Sequence, residues 1–375
     1  MKPEPEKSSQ EKSALPKSDD GKAGKAKDEK PSGKGPALTS PPKGDRNYDL
    51  MGEYVGQVSG GGTGQQWLGM QVRPTGNDNF EAVSFIGGLP GEEKHNRDGT
   101  KLVGRRSGNF LVLSGGPWAV FVEPDHCTLI DNTGTKLGQL KRVRRSSPTL
   151  GALPPKDAVI LFDGTHIDQF TNAQMTKEGL LMEGADMKPM FQDFDLHLEF
   201  RLPYMPDAGG QSRGNSGVYL QSRYECQVLD SFAQDRLING CGAIYTFRKP
   251  DLNMCFPPLV WQTYDIRFTA PRWASDGSKI RNARITSWLN GVKVHDDVEM
   301  PNKTGRGQIE EPLLLPTRLQ NHKDPVRFRN VWLIDRGLMT SEFPIKTPKK
   351  TDKPATPAPA GKAVAAKPKP KTEMK

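Results

Sequence analysis

Apolar and polar residues alternate along most of residues 46–336, in runs of strand length cut by glycine, proline and asparagine. The clearest run is Phe194-Asp195-Leu196-His197-Leu198-Glu199-Phe200-Arg201-Leu202. Phe194, Leu196, Leu198, Phe200 and Leu202 fall on one face and go inward, while His197, Glu199 and Arg201 go outward. Val159 to Thr165 reads as a buried strand ending in a turn. Trp261 to Phe268 and Ala283 to Trp288 follow, and Asn290-Gly291, the type I′ hairpin signal, leads into Val292 to His295. A last pair, Leu313 to His322 and Val326 to Ile334, is expected to join across Lys323-Asp324-Pro325. About ten strands with turn punctuation and hardly any helix predict a two-sheet antiparallel sandwich of jelly-roll type over 158–336, expected to fold alone.

Residues 46–150 show the same grammar in shorter form: Gly52 to Val58, Trp67 to Val72, Phe80 to Phe85, Phe110 to Leu113 and Cys127 to Ile130. Strand-length runs at roughly ten-residue spacing predict a small barrel or sandwich with no helix-period segment. No catalytic constellation stands out there, and His95 and His126 are isolated, with surface or structural roles expected. The run from Arg142 through Pro148 to Pro154-Pro155 reads as the connection, with 151–157 as the linker. The flanks, 1–45 and 337–375, are built from Lys, Pro, Ala, Gly and Ser with almost no apolar anchors, and are expected to be disordered. The chain as a whole reads as all-β: a small β-rich domain, then a jelly-roll β-sandwich, between disordered tails.

One stretch concentrates polar residues on a strand pattern: Gly214-Asn215-Ser216-Gly217-Val218-Tyr219-Leu220-Gln221, then Ser222-Arg223-Tyr224, then Glu225-Cys226-Gln227-Val228-Leu229-Asp230. A three-residue loop at 222–224 would set Gln221 opposite Glu225 and Tyr219 opposite Gln227. Tyr219, Gln221, Glu225 and Gln227 then form a polar wall with a carboxylate in its middle, and Val218, Leu220, Cys226 and Val228 face the core. A solvated sheet face explains the same pattern equally well.

Charge narrows the function classes. The chain of 375 residues carries a formal +9, but residues 1–45 contribute +2 and 346–375 contribute +7, so 46–345 are neutral. The folded part therefore has no basic surplus from which to build a phosphate-tracking surface, and nucleic acid is not an expected partner. Weak surface association through the basic tails is the most that this charge supports. No run of 18 apolar residues exists, so no membrane-spanning segment is expected. Nor is there an apolar signal-peptide core at the N-terminus; a processed exported chain would look the same, and export to the periplasm or cell surface is expected. The four cysteines show no CxxC pair and no zinc spacing. Cys226 reads as a core residue, while Cys241 and Cys255 flank a 13-residue loop and would be bridged in an oxidising compartment.

An ordered set of motifs carries a family likeness. Leu161-Phe162-Asp163-Gly164, the Gly214 to Gly217 turn with Tyr224 to Asp230, Cys241-Gly242-Ala243-Ile244-Tyr245, Pro257-Pro258 before Trp261 to Asp265, Asn290-Gly291, and Leu319-Gln320-Asn321-His322 before Val326 to Asn330 occur in that order. Residues 158–336 closely resemble the 3-keto-disaccharide hydrolase family (3-keto-glucoside 1,2-lyase/hydratase domains), whose fold is a concanavalin-like jelly roll. The first unit, ending in Arg145 to Gly151, resembles an N-terminal β-domain sometimes found before this family. Cys226 stands where the family often has Val, and Asn321 where it often has Asp, which removes a charge beside His322.

The resemblance implies cleavage of glycosidic bonds in 3-keto-glycosides and 3-keto-disaccharides, and so a carbohydrate substrate. A C3 ketone acidifies the neighbouring C2–H; a base removes that proton, the enolate expels the glycosidic oxygen at C1, and water adds to the product. On this reading Glu225 is the base and His322 the acid at O1 or a metal ligand. Asp230 would orient His322 or hold a divalent cation, the one cofactor the site allows for. Asn215, Gln221, Gln227, Arg318 and Gln320 would bond sugar hydroxyls, Tyr219 would offer a stacking surface, and Arg329 would stabilise the enolate. The residues alone equally allow a structural Glu225, a solvated His322 and a turn-capping Asp230, while Trp261 and Trp288 read as core. A non-catalytic carbohydrate-binding or adhesion module on the same sandwich is the alternative, and a surface scaffold using its tails a third.

Overall fold

The computed structural model describes residues 34–60, 64–93, 98–116 and 118–337. Residues 1–33 and 338–375, on which most of the expected disorder falls, lie outside them, as does His95.

A single helical turn, α1 (Arg46–Leu50), opens the first unit, where the pattern predicted no helix. Asp45 supplies the reason: its side chain accepts from the backbone N–H groups of Asn47 and Tyr48 and caps the turn. Eight antiparallel strands follow: β1 (Gly52–Gly60), β2 (Gly64–Pro74), β3 (Asn79–Ile86), β4 (Thr100–Ser107), β5 (Phe110–Gly115), β6 (Trp118–Val122), β7 (His126–Ile130) and β8 (Lys136–Val143). They close into a barrel in sequence order, β8 pairing back onto β1. Tyr54, Val58, Leu68, Met70, Val72, Leu111, Leu113, Val120 and Val122 alternate inward and fill it. Three strands escaped the pattern (β4, β6 and β8), and β8 takes residues that read as the start of the connection.

The second unit contains β9 (Val159–Phe162), β10 (Phe170–Thr171), β11 (Leu181–Met182), β12 (Ala185–Met187), β13 (Asp193–Arg201), β14 (Ser216–Leu220), β15 (Tyr224–Val228), β16 (Trp261–Thr269), β17 (Arg272–Trp273), β18 (Lys279–Arg281), β19 (Ala283–Leu289), β20 (Val292–Met300), β21 (Arg318–Leu319) and β22 (Arg327–Gly337). A five-stranded sheet runs β10-β12-β21-β14-β15; a seven-stranded sheet runs β11-β22-β13-β16-β19-β20, with β9 on β22. Only β17 and β18 stand apart, as a short ribbon. The architecture is the predicted jelly-roll sandwich. Val218, Leu220, Tyr224, Cys226 and Val228 from one sheet pack with Leu196, Leu198, Phe200, Tyr264 and Phe268 from the other. The final pair differs from expectation: β21 joins the smaller sheet and β22 the larger, so they are not a hairpin. At the turn after β19, Asn290 and Gly291 both take positive φ, 52° and 78°, as a type I′ hairpin requires.

Both flanks of the barrel are tied to the sandwich. Part of the N-terminal run expected to be disordered is fastened in place: Leu38 pairs with Tyr204, and Lys34 Nζ lies 3.1 Å from the buried Asp324. Between the units, residues 147–152 cover the outer face of the seven-stranded sheet. The outward set on β13 is therefore not solvated. His197 and Glu199 are buried, with Glu199 accepting from Gly151 N at 2.6 Å and from Asn330 at 3.0 Å. Burial alone would raise the Glu199 carboxyl, but bonds from His197, Asn330, Gly151 and Arg329 bring it down to about 2. Burial likewise works against the His197 cation, yet Asp265 and Glu199 outweigh it and hold its pKa above the ordinary value.

Trp261 and Trp288 sit half-exposed rather than in the core. The guanidinium carbons of Arg329 and Arg201 lie 4.1 and 5.0 Å from the Trp261 ring centre, and Lys293 lies 5.9 Å from that of Trp288. Cys127, Cys226, Cys241 and Cys255 are free, buried thiols.

A fragment beginning at residue 158 leaves His197 and Glu199 without the covering segment, whereas one beginning at 146 keeps it. The shorter fragment is expected to melt roughly 5–10 °C lower, since several buried hydrogen bonds are lost together. Thermal unfolding of the two fragments side by side is the check, and equal midpoints would show that the cover adds nothing.

Candidate active site

The hairpin of β14 and β15 has its three-residue loop at Gln221-Ser222-Arg223, one residue earlier than expected. Tyr219 is opposite Glu225 and Gly217 opposite Gln227. The shift is by two in register, so the faces are as predicted; only Gln221 leaves the wall. Gln221 and Ser222 adopt left-handed φ of 46° and 55°, a strained choice for residues with a Cβ. Distant backbone holds them there: Gln221 Nε2 donates to Phe191 O at 2.9 Å, and Ser222 Oγ to Pro316 O at 2.8 Å. Gln221 is thus an anchor of the loop.

Cross-strand pairing lines up one row over the smaller sheet. Thr171 pairs with Asp186, Asp186 with Arg318, Arg318 with Tyr219, and Tyr219 with Glu225. The adjacent row, Ala185, Leu319, Val218 and Cys226, points into the core. Along the polar row Arg318 Nε meets Asp186 Oδ1 at 3.1 Å, and its guanidinium carbon lies 5.7 Å from the centre of the Tyr219 ring. Tyr219 Oη donates to Glu225 Oε2 at 2.7 Å. An open cleft of about 600 Å³ lies over this row, with Asn172, Gln174, Glu183, Asp186, Tyr219, Arg306, Arg318, Gln320 and Asn321 among its lining. Two other hollows, of about 360 and 460 Å³, lie between barrel and sandwich and contain no such row.

Glu225 is not on a solvated face. It is 2 % exposed, its backbone N–H donates to Thr304 Oγ1 at 2.8 Å, and its carbonyl accepts from Tyr245 N at 3.0 Å. Burial pushes its carboxyl up to about 7, against the opposing pull of the Tyr219 hydrogen bond. Gly217 is required here, because a Cβ on it would come 2.5 Å from Glu225 Oε1. The Gln227 amide, with its nitrogen turned that way, donates to the same Oε1 at 3.1 Å and to Ser216 O at 3.0 Å. A carboxyl that is half-protonated near neutrality, hydrogen-bonded to a phenol, can take or give a proton under ordinary conditions.

The remaining predicted residues divide. Arg318 and Gln320 line the cleft, and Gln320 Oε1 and His322 Nδ1 are buried without a hydrogen-bond partner among the described residues. His322 follows Gln320 and Asn321 in the loop after β21, and Asp324 fixes that loop by accepting from Asn215 N at 2.8 Å. Asn215 is buried away from the cleft, its Nδ2 donating to Gln211 O at 2.7 Å.

Asp230 has a structural role. Its Oδ2 accepts from Arg213 Nε at 2.6 Å and its Oδ1 from Phe232 N at 3.3 Å, while Arg213 Nη1 reaches Pro74 O on the barrel at 3.0 Å. Asp230 is thus held by Arg213 and the Phe232 backbone, and no hydrogen bond joins it to His322 among the described residues. Among the described residues no three His, Cys, Asp or Glu side chains gather in one group. Arg329 lies on the other sheet, bonded to Glu199 at 2.7 Å, and takes no part in the row. Asp186, Gln174 and Arg306 were missed; Asp186 sits on a three-residue strand too short to show alternation.

Titration of Glu225 makes stability pH-dependent. Its folded value of about 7 lies above the ordinary 4.5, so the folded protein keeps a proton that the unfolded chain releases. That contribution is complete below pH 4.5 and is lost as pH rises through 7. Urea unfolding of parent and Glu225→Gln should therefore show the variant gaining relative to parent, by up to about 3 kcal/mol, across that window. A constant difference would place the carboxyl at its ordinary value.

A comparison with curated proteins returned no match. Three solved structures, each a candidate glycosyl hydrolase from Parabacteroides distasonis, are similar to part of the chain. The first is 31% identical and covers 48% of this chain and 84% of its own, with a TM-score of 0.45. The second is 16% identical over 48% and 94%, with a TM-score of 0.35. The third is 19% identical over 47% and 98%, with a TM-score of 0.32. Residues 157–334 match the family described as a 3-keto-alpha-glucoside-1,2-lyase-like domain, and through that stretch the chain belongs to it.

Proposed function

We propose that the sandwich cleaves the glycosidic bond of 3-keto-glycosides by proton abstraction, elimination and hydration. The observation that carries this is Glu225, a buried carboxyl poised at about 7 directly behind a polar cleft. With the 3-keto sugar in the cleft, Glu225 is the proton acceptor for C2–H. Arg318, half-exposed over Tyr219 and held by Asp186, supplies positive charge where the C3 oxygen becomes an enolate. The C1–O bond then breaks, His322 gives the leaving oxygen its proton, and water adds across the C1–C2 double bond. Two carboxylates flanking an anomeric carbon, the ordinary glycosidase arrangement, form no part of this scheme.

Incubation with 3-keto-trehalose or another 3-keto-glucoside tests the reading. Glu225→Gln keeps the shape of the row and removes the base, so turnover should fall about 10²–10⁴-fold with little change in affinity. His322→Ala should slow the reaction less when the leaving group is nitrophenol, which needs no protonation. Activity of Glu225→Gln within about twofold of parent takes Glu225 out of the base role. Ligand binding without turnover by the parent protein selects the carbohydrate-binding module instead.

Export is proposed on a separate ground. Burial, with the neighbouring Cys241 thiol second, raises the Cys255 thiol well above the usual range. In an oxidising compartment this pair should be bridged, closing a loop worth about 3 kcal/mol in the chain-entropy model. Thiol counting on denatured native-source protein should then find only Cys127 and Cys226 free; four free thiols would remove this ground for export.

A further inference from the structure

We propose that Tyr219 is the group that meets the substrate, and that Glu225 exchanges its proton with the sugar through the Tyr219 hydroxyl. This rests on the reaction proposed above. Both side chains are buried, Tyr219 at 4 % and Glu225 at 2 % exposed, but Tyr219 is in the lining of the cleft and Glu225 lies behind it. The two are joined by the 2.7 Å bond from Tyr219 Oη to Oε2. The other oxygen, Oε1, is hemmed in by the Gly217 backbone and the Gln227 amide. A sugar in the cleft thus meets Tyr219 first, and would reach the carboxylate only by moving the ring aside.

The step balances as a relay. Tyr219 Oη takes the C2 proton while its own proton passes to Glu225 Oε2, and the C2–H electron pair becomes the enolate. Tyr219 is neutral before and after; Glu225 ends protonated. When water adds its hydroxyl to C1, its remaining proton goes to His322, which gave one to the leaving oxygen, and the proton on Glu225 returns through Tyr219 to C2. Burial and the neighbouring Glu225 charge both raise the phenol's pKa, so a free tyrosinate is disfavoured and the two transfers are coupled. Arg318, on the ring face, works the other way and eases the moment of greatest negative charge on the phenol.

Tyr219→Phe separates relay from direct attack. If the relay operates, its turnover of 3-keto-trehalose falls about 10²–10⁴-fold, like Glu225→Gln, and the double variant is no worse than either single one. Isotope-edited infrared titration of the Glu225 carboxyl in the free protein should also find its midpoint above the parent's in Tyr219→Phe, because a hydrogen bond that lowers it is gone. Turnover of Tyr219→Phe within about threefold of parent, with Glu225→Gln still slow, overturns the relay and leaves Glu225 as the direct base. If neither substitution slows the reaction, or the parent does not cleave the substrate, the reaction itself falls and the relay with it. Should Tyr219→Phe not fold, fluorotyrosine at 219 keeps the shape and makes the phenol more acidic. A shifted pH–rate profile then supports the relay, and an unchanged one overturns it.

Discussion

A single carboxyl, withdrawn from water in the middle of a sheet, sets the terms for the rest of this protein. Glu225 cannot be buried as a bare charge without a large desolvation penalty, and its surroundings answer that in two ways. They leave it half-protonated near neutrality, and they give its oxygens donors in Tyr219 and Gln227. Everything within reach follows from that choice. Gly217 has no side chain because Oε1 needs the space, and Thr304 and Tyr245 close the sheet edge that would otherwise admit water. Chemistry near neutral pH is then a by-product of burial.

The two sheets of the sandwich are used unequally. The smaller carries an open cleft over its polar row, whereas the larger has its polar face roofed by residues 147–152. There Glu199 is satisfied by a backbone N–H, an amide and a guanidinium, and His197 stacks on Trp332 with ring centres 4.8 Å apart. A fully bonded cluster of this kind fixes geometry and has little capacity left for a ligand. The barrel is part of the same scheme, since Arg213 carries the charge of Asp230 to a carbonyl on β2.

Alternation made the fold and the composition of the wall legible, because the period of two survives any shift of register by two. It could not reveal that Gln221 belongs to the loop, since its left-handed backbone is held by carbonyls some thirty residues earlier in the chain. Nor does alternation say which sheet a strand joins, so β21 and β22 looked like a hairpin although they pair with different partners. The face of Arg329 is not legible for a related reason: the register between β13 and β22 shifts between His197 and Glu199, and faces cannot be counted through a bulge. Asp230 and Glu225 look alike in sequence, five residues apart on one hairpin. What separates them is a neighbour from afar, a guanidinium for one and a phenol for the other.

The contact between Lys34 and Asp324 joins positions 290 residues apart, and Leu38 reaches Tyr204 from the same short strap. During synthesis the strap emerges long before the loop it must fasten, the loop that carries Gln320 and His322. Contacts of such separation are costly to close and form late in folding. The lip of the cleft is therefore finished last, when the first-made piece of the sandwich's binding is laid over the last-made loop. A chain shortened at its beginning would be felt at a site encoded near its end.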